Sequence, residues 1–139
     1  MIFEAQLKQF GGDIEGEVIL NVNGRDLTCF SYSSLPHDAK QGAYYRVEFT
    51  PQVFHEYQVD LREDEVPPSV QQIGKGFSYV MTGRLTGNRL DAGCVVFEDD
   101  VLLSDYGYLE GKIVSWKVDR LDAEFLREPV QNSGRSPIE

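Results

Sequence analysis

Apolar and polar residues alternate through most of the chain with the period of two that marks half-buried β-strands, not the 3.6 of amphipathic helices. Met1 to Leu7 sets Phe3, Ala5 and Leu7 on one side and Glu4, Gln6 and then Lys8 on the other. Ile14 to Val22 and Arg25 to Ser33 repeat the pattern, with Asn23-Gly24 between them. Asn-Gly takes positive φ at low cost and fits the primed two-residue turn that matches strand twist. The turn fixes a register in which Leu20 faces Leu27 and Val18 faces Cys29. The predicted core face of this hairpin carries Ile14, Gly16, Val18, Leu20, Leu27 and Cys29. Glu15, Glu17, Ile19, Thr28, Phe30 and Tyr32 lie opposite.

Further strands follow. Leu35 to Gly42 reads as a loop, then Ala43 to Phe49 points Tyr45, Val47 and Phe49 inward. Val53 to Leu61 places Val53, His55, Tyr57, Val59 and Leu61 on one face. Phe77 to Leu85, the apolar run Leu90 to Phe97, and Gly111 to Val118 (Val114, Trp116 and Val118 on one side) continue the series. Asp119 to Leu126 alternates through Leu121, Ala123 and Phe125 and is assigned to a strand. The one predicted helix is Pro67 to Ile73, with Pro at its start and Gly74 at its end. Residues 1–126 form the expected domain, and Arg127 to Glu139, polar and aperiodic, a loose tail.

A weak internal echo accompanies this order. Gly16, Cys29 and Gly42 find counterparts in Gly83, Cys94 and Gly111, at an offset of about 65 to 69 residues that drifts along the chain. It predicts two similar three-stranded halves.

Short strands at close spacing point to a mostly β protein, a small antiparallel β-barrel with one short helix, with a β-sandwich as the alternative. Three strands, a helical segment and then more strands match the element order of an oligonucleotide/oligosaccharide-binding (OB) barrel. No sequence motif accompanies that order.

A chain of 139 residues buries enough surface to fold without staples, and 41% hydrophobic residues suit a packed core. The net charge of -10 changes the functional picture more. It repels phosphate backbones and favours basic partners. Lys and Arg are dispersed; Arg46, Arg84, Lys112 and Lys117 are the candidates for any local basic patch. Cys29 and Cys94 sit in apolar runs and read as two buried free thiols rather than a disulfide. The opening Met1-Ile2-Phe3-Glu4 has neither the basic nor the apolar region of a secretion signal, and no apolar run approaches membrane-spanning length. A soluble, cytoplasmic protein is expected.

Candidate chemistry is sparse. His37 beside Asp38 lacks a third catalytic group, and His55 reads as a packing residue. No Gly-x-Ser-x-Gly elbow or phosphate-loop pattern occurs; Gly74-Lys75-Gly76 is a turn. Glu98-Asp99-Asp100 with Asp105 lacks Ca²⁺-loop spacing, and Glu63-Asp64-Glu65 reads as a solvated acidic run. No catalytic, metal or cofactor residue is assigned. Aromatic residues remain as the candidate contact surface: Phe30, Tyr32, Tyr44, Tyr106 and Tyr108. The leading expectation is a non-enzymatic protein-interaction module with a basic partner. A single-stranded nucleic-acid binder ranks behind it because of charge, alongside an enzyme or small-molecule carrier without a recognisable motif.

Overall fold

Asn23 and Gly24 make the predicted turn, with φ of 51° and 86°. Strand β2 (Glu17–Val22) pairs with β3 (Arg25–Phe30) in the predicted register, Leu20 opposite Leu27 and Val18 opposite Cys29. A computed structural model describes residues 1–32 and 34–126. The expected tail, 127–139, lies outside the described residues.

Strand β1 (Ile2–Phe10) flanks β2 on one side and β4 (Tyr44–Gln52) on the other. The last strand, β11 (Arg120–Phe125), runs antiparallel to β4 and parallel to β3, closing the five-stranded barrel β1-β2-β3-β11-β4. The remaining strands build a second sheet: β5 (Gln58–Leu61), β6 (Ser69–Gln72), β7 (Tyr79–Thr86), β8 (Arg89–Asp91), β9 (Val96–Glu98) and β10 (Ile113–Val118). A helix α1 (Asp100–Tyr106), extended by the 3-10 turn Gly107–Leu109, links β9 to β10. Among the described residues the protein is thus mostly β, with a small closed barrel and one short helix.

The two sheets share one arrangement. One reads β3-β2-β1-β4-β11 across, the other β9-β8-β7-β10-β5. Leu7, Leu20 and Leu27 sit opposite one another in a buried row, as do Leu85, Leu90 and Phe97. Gly42 N–H donates to Leu7 O while Leu7 N–H donates to Ala43 O; Gly111 and Leu85 repeat this with Lys112. The Gly42–Gly111 part of the echo therefore has a structural basis. The repeated units are four-stranded, β1-β2-β3-β4 and β7-β8-β9-β10, in place of the expected three-stranded halves, and only the first belongs to the barrel. The cysteine part does not. Counted from the leucine rows, Cys29 corresponds to Asp99 and Gly83 to Ala5. The fifth strands are exchanged: after β4 the chain crosses to sit as β5 beside β10, and after β10 it returns as β11 beside β4. Side chains from both sheets form a single core, with Trp116 fully buried in it.

Four expectations are corrected. Pro67 to Ile73 is not helical; Ser69–Gln72 is β6, antiparallel to β7 with Val70 opposite Met81. An uncapped helix of one or two turns is marginal, whereas the free edge of β7 satisfies the backbone of Ser69–Gln72 at once. The helix instead follows Asp99, whose side chain accepts from Val101 N–H and caps it. Leu90 to Phe97 is not one strand. Gly93, at φ 96°, turns the chain between β8 and β9 and leaves Cys94 in that loop, half-buried. Val53–Tyr57 is not strand either, which leaves His55 exposed. Ile14 is 47% exposed, outside the hairpin core, because β2 begins only at Glu17.

Barrel and sheet are joined by part-buried polar contacts. The Tyr79 hydroxyl accepts from Thr28 N–H (2.7 Å) and donates to Thr28 O (3.0 Å), tying β7 to β3. Arg25 Nη2 donates to Val70 O (2.6 Å), and Leu121 N–H donates to Phe77 O (2.9 Å). Burial, aided by nearby Cys29, pushes the Tyr79 hydroxyl up to about 12 against the opposing pull of its Thr28 bonds and Arg25. The neutral phenol is the folded form, and an unfolded tyrosine ionises near 10. This contribution is intact below pH ~10 and falls away between pH ~10 and about 12.

Tyr79→Phe strands both backbone groups of Thr28, with an expected loss of about 1–3 kcal/mol at neutral pH. Thermal melts of both proteins from pH 8 to 12 check this. The gap in Tm should narrow as pH rises, and a constant gap would count against the assignment. Gly83→Ala tests the core differently. A Cβ there would run into the carbonyl oxygen of Asp91 on the neighbouring strand, where only backbone can yield. A loss of about 3 kcal/mol in denaturant unfolding is expected.

Candidate functional site

On the outer face of the β3-β11-β4 wall lies an open groove of ≈ 590 Å³. Alternation makes it. Leu121, Ala123 and Phe125 of β11 point into the barrel, so Arg120, Asp122 and Glu124 point out. Phe30 and Tyr32 line one side and Thr50 and Gln52 of β4 the other. At its end, Ser34 Oγ accepts from Phe125 N–H (2.9 Å).

An aromatic and cationic stack forms the floor. The Tyr32 ring lies 6.3 Å from that of Phe30 in a stacked arrangement. The Arg120 guanidinium sits 4.3 Å from the Phe30 centroid and 5.2 Å from that of Phe54. Phe77 braces Phe30 edge-on at 5.6 Å. Asp122 holds Arg120 through both carboxylate oxygens, at 2.6 and 3.1 Å, and takes a third bond from Gln52 Nε2 at 3.1 Å. Arg120 and Asp122 thus neutralise each other. Glu124 is exposed and has no ion pair among the described residues, and Tyr32 stands 86% exposed beside it. The groove presents an aromatic face and one uncompensated negative charge.

Among the sequence candidates, Phe30 and Tyr32 are brought together here. Tyr106 and Tyr108 form a separate pair, 6.4 Å apart, at the end of α1. The Tyr106 hydroxyl donates to Tyr57 O, and Tyr57 stacks on Trp116 and donates to Asp99, so Tyr106 serves as a brace. Burial pushes the Tyr57 hydroxyl up, and Asp99 adds to it. Tyr108 is 77% and Tyr44 53% exposed, and neither lines this groove. Arg120, Asp122, Glu124 and Phe54 were not singled out from the sequence. Strand alternation through 119–126 carried the signal for the first three, whereas Phe54 lies in a loop placed by tertiary structure alone.

The candidate basic residues do not make a bare patch. Arg84 and Lys112 meet Arg62 in a second groove of ≈ 400 Å³, but Glu63, Asp64 and Glu65 line it too. Arg62 pairs with Asp64 and Arg84 with Glu65, each at 3.7 Å. Asp99 and Asp100 are spent on α1 and Glu98 on Arg89, 3.0 Å away. No group of three or more His, Cys, Asp or Glu residues suited to a metal occurs among the described residues. Both cysteines are free, and burial raises both thiols. No helix among the described residues is long and apolar enough to cross a membrane.

In comparison with known proteins, a family model matches residues 1–126. The chain belongs to the family described as Uncharacterised conserved protein UCP019853. No curated protein and no solved structure matches it.

In this UCP019853 member the stack depends on Gly16, whose φ is +83° and whose added Cβ would lie 2.6 Å from Phe30 Cε1. Gly16→Ala should cost about 1 kcal/mol or more from positive φ and displace the Phe30 ring. The Arg120 Nε–H resonance reads this out. A shift is expected in the variant, and an unmoved resonance would show that Phe30 does not carry Arg120.

Proposed function

We propose that the chain is a protein-interaction module whose contact face is the Phe30–Tyr32–Arg120–Glu124 groove and whose partner is basic. The carrying observation is the exposed Tyr32 ring, propped on Phe30, in one groove with the Glu124 carboxylate, which has no ion pair among the described residues. Exposed aromatics held rigidly from below are typical anchors of protein interfaces. Arg120 on Phe30 illustrates the chemistry that this floor accommodates, a guanidinium on an aromatic face backed by a carboxylate. A net charge of -10 would steer such a partner in and speed association. Two free thiols in a chain of this size fit a reducing, cytoplasmic setting.

A second reading is an OB-like barrel that binds single-stranded nucleic acid. In its favour, the third barrel strand lies beside the last, and β3 and β11 run parallel. OB barrels bind on the face of their second and third strands. Here those strands carry Glu17 and Asp26, and Tyr79 of the second sheet contacts Thr28. Affinity for nucleic acid rests on phosphate neutralisation, so the protein reading ranks first.

Pull-down with the tagged chain, with and without nuclease, separates the two. A partner resistant to nuclease is expected, its binding weakened about tenfold by Tyr32→Ala or Glu124→Lys and reduced by salt. Association abolished by nuclease would transfer the assignment to nucleic acid. A partner indifferent to both substitutions would remove it from this groove.

A further inference from the structure

A third groove, of ≈ 350 Å³, adjoins the first at Tyr32, which lines both of these. Its walls are Phe10, Ile14 and Leu35, with Gly11 and Gly12 contributing only backbone. Ile14, at 47% exposure, offers its side chain to this space rather than to the core. Glu15 and Glu17 stand at the rim, and neither has an ion pair among the described residues. Tyr32 is therefore a ridge between two unlike basins. One has an aromatic wall with the Glu124 carboxylate, the other an aliphatic wall with an acidic rim.

We propose that the two grooves form one continuous docking surface for an extended, basic, amphipathic segment of a partner protein. A Lys or Arg side chain lies against Tyr32 and Glu124, and an aliphatic side chain enters the Phe10–Ile14–Leu35 basin. This rests on the protein-interaction reading of the first groove and adds the form of the ligand. Charge complementarity supplies the argument for the occupant. Among the described residues, Glu15, Glu17 and Glu124 border the surface without an ion pair, while the one cation lining it, Arg120, is already bonded to Asp122. Tyr32 lines both basins, so residues two apart in an extended chain, roughly 7 Å, are placed to reach one each. The aliphatic side chain would cover apolar surface now open to water, and the ridge would be buried from both sides, as interface anchors are.

The test is selection of a random peptide library displayed on phage against the full chain, with the Tyr32→Ala chain as counter-selection. Enriched peptides should carry Lys or Arg two or three positions from Leu, Ile or Val. Their synthetic forms should bind about tenfold more weakly to Glu124→Lys and, separately, to Ile14→Asp. All three variants alter exposed side chains, and unchanged melting temperatures confirm their folding. Peptides weakened by Glu124→Lys but indifferent to Ile14→Asp would overturn the two-basin surface while leaving the single-groove reading intact. Enrichment of acidic peptides, or of none that depend on Tyr32, would overturn both. A fifteen-residue oligothymidylate that binds the full chain but not Tyr32→Ala would assign the ridge to nucleic acid instead.

Discussion

The exchange of fifth strands governs this architecture. β11 reaches its place only after the chain has built the whole second sheet, and β5 sits in that sheet although it follows a barrel strand. Without β11 the barrel would expose the edges of both β3 and β4, and without β5 one edge of β10 would lie bare. Each half therefore supplies the piece that the other lacks. The Tyr79–Thr28, Arg25–Val70 and Leu121–Phe77 bonds all cross between these interlocked halves. Because one apolar core runs through both, they have no natural boundary at which to part.

Interactions local in sequence were legible from it. The Asn23-Gly24 turn specified its own register, and alternation through Leu121, Ala123 and Phe125 identified the closing strand. What failed were segments whose state is decided by a distant neighbour. Ser69–Gln72 is extended because β7 has an open edge there, and Leu90 to Phe97 folds back on itself at Gly93. The Asp99 cap was visible as an acidic residue but not as a cap, since the same carboxylates serve equally well in a turn. Cys94 was matched with Cys29 by residue type, while the buried leucine rows show that the true correspondence runs through size and burial.

The candidate site divides along the same line. Phe30 and Tyr32 were apparent as the outer face of a hairpin, but whether that face was covered depended on β11 and the loop after β4. Once β11 slots in beside β3, its outward residues bring a guanidinium and two carboxylates to the aromatic pair. The groove is thus assembled by the last strand of the barrel, and it joins residues far apart in the sequence. Mutual neutralisation of Arg120 and Asp122 leaves the local charge to Glu124, in line with the acidity of the chain as a whole.

The late position of β11 also has a meaning in time. On a ribosome, β1 to β4 emerge well before their closing strand, since dozens of residues of second sheet must be made in between. Throughout that interval the edges of β3 and β4 stand open to any extended chain, including the β11 of a neighbouring copy. Pairings so distant in sequence are slow to form. A crowded refolding reaction therefore offers this protein a choice between closing on itself and trading strands with its twin.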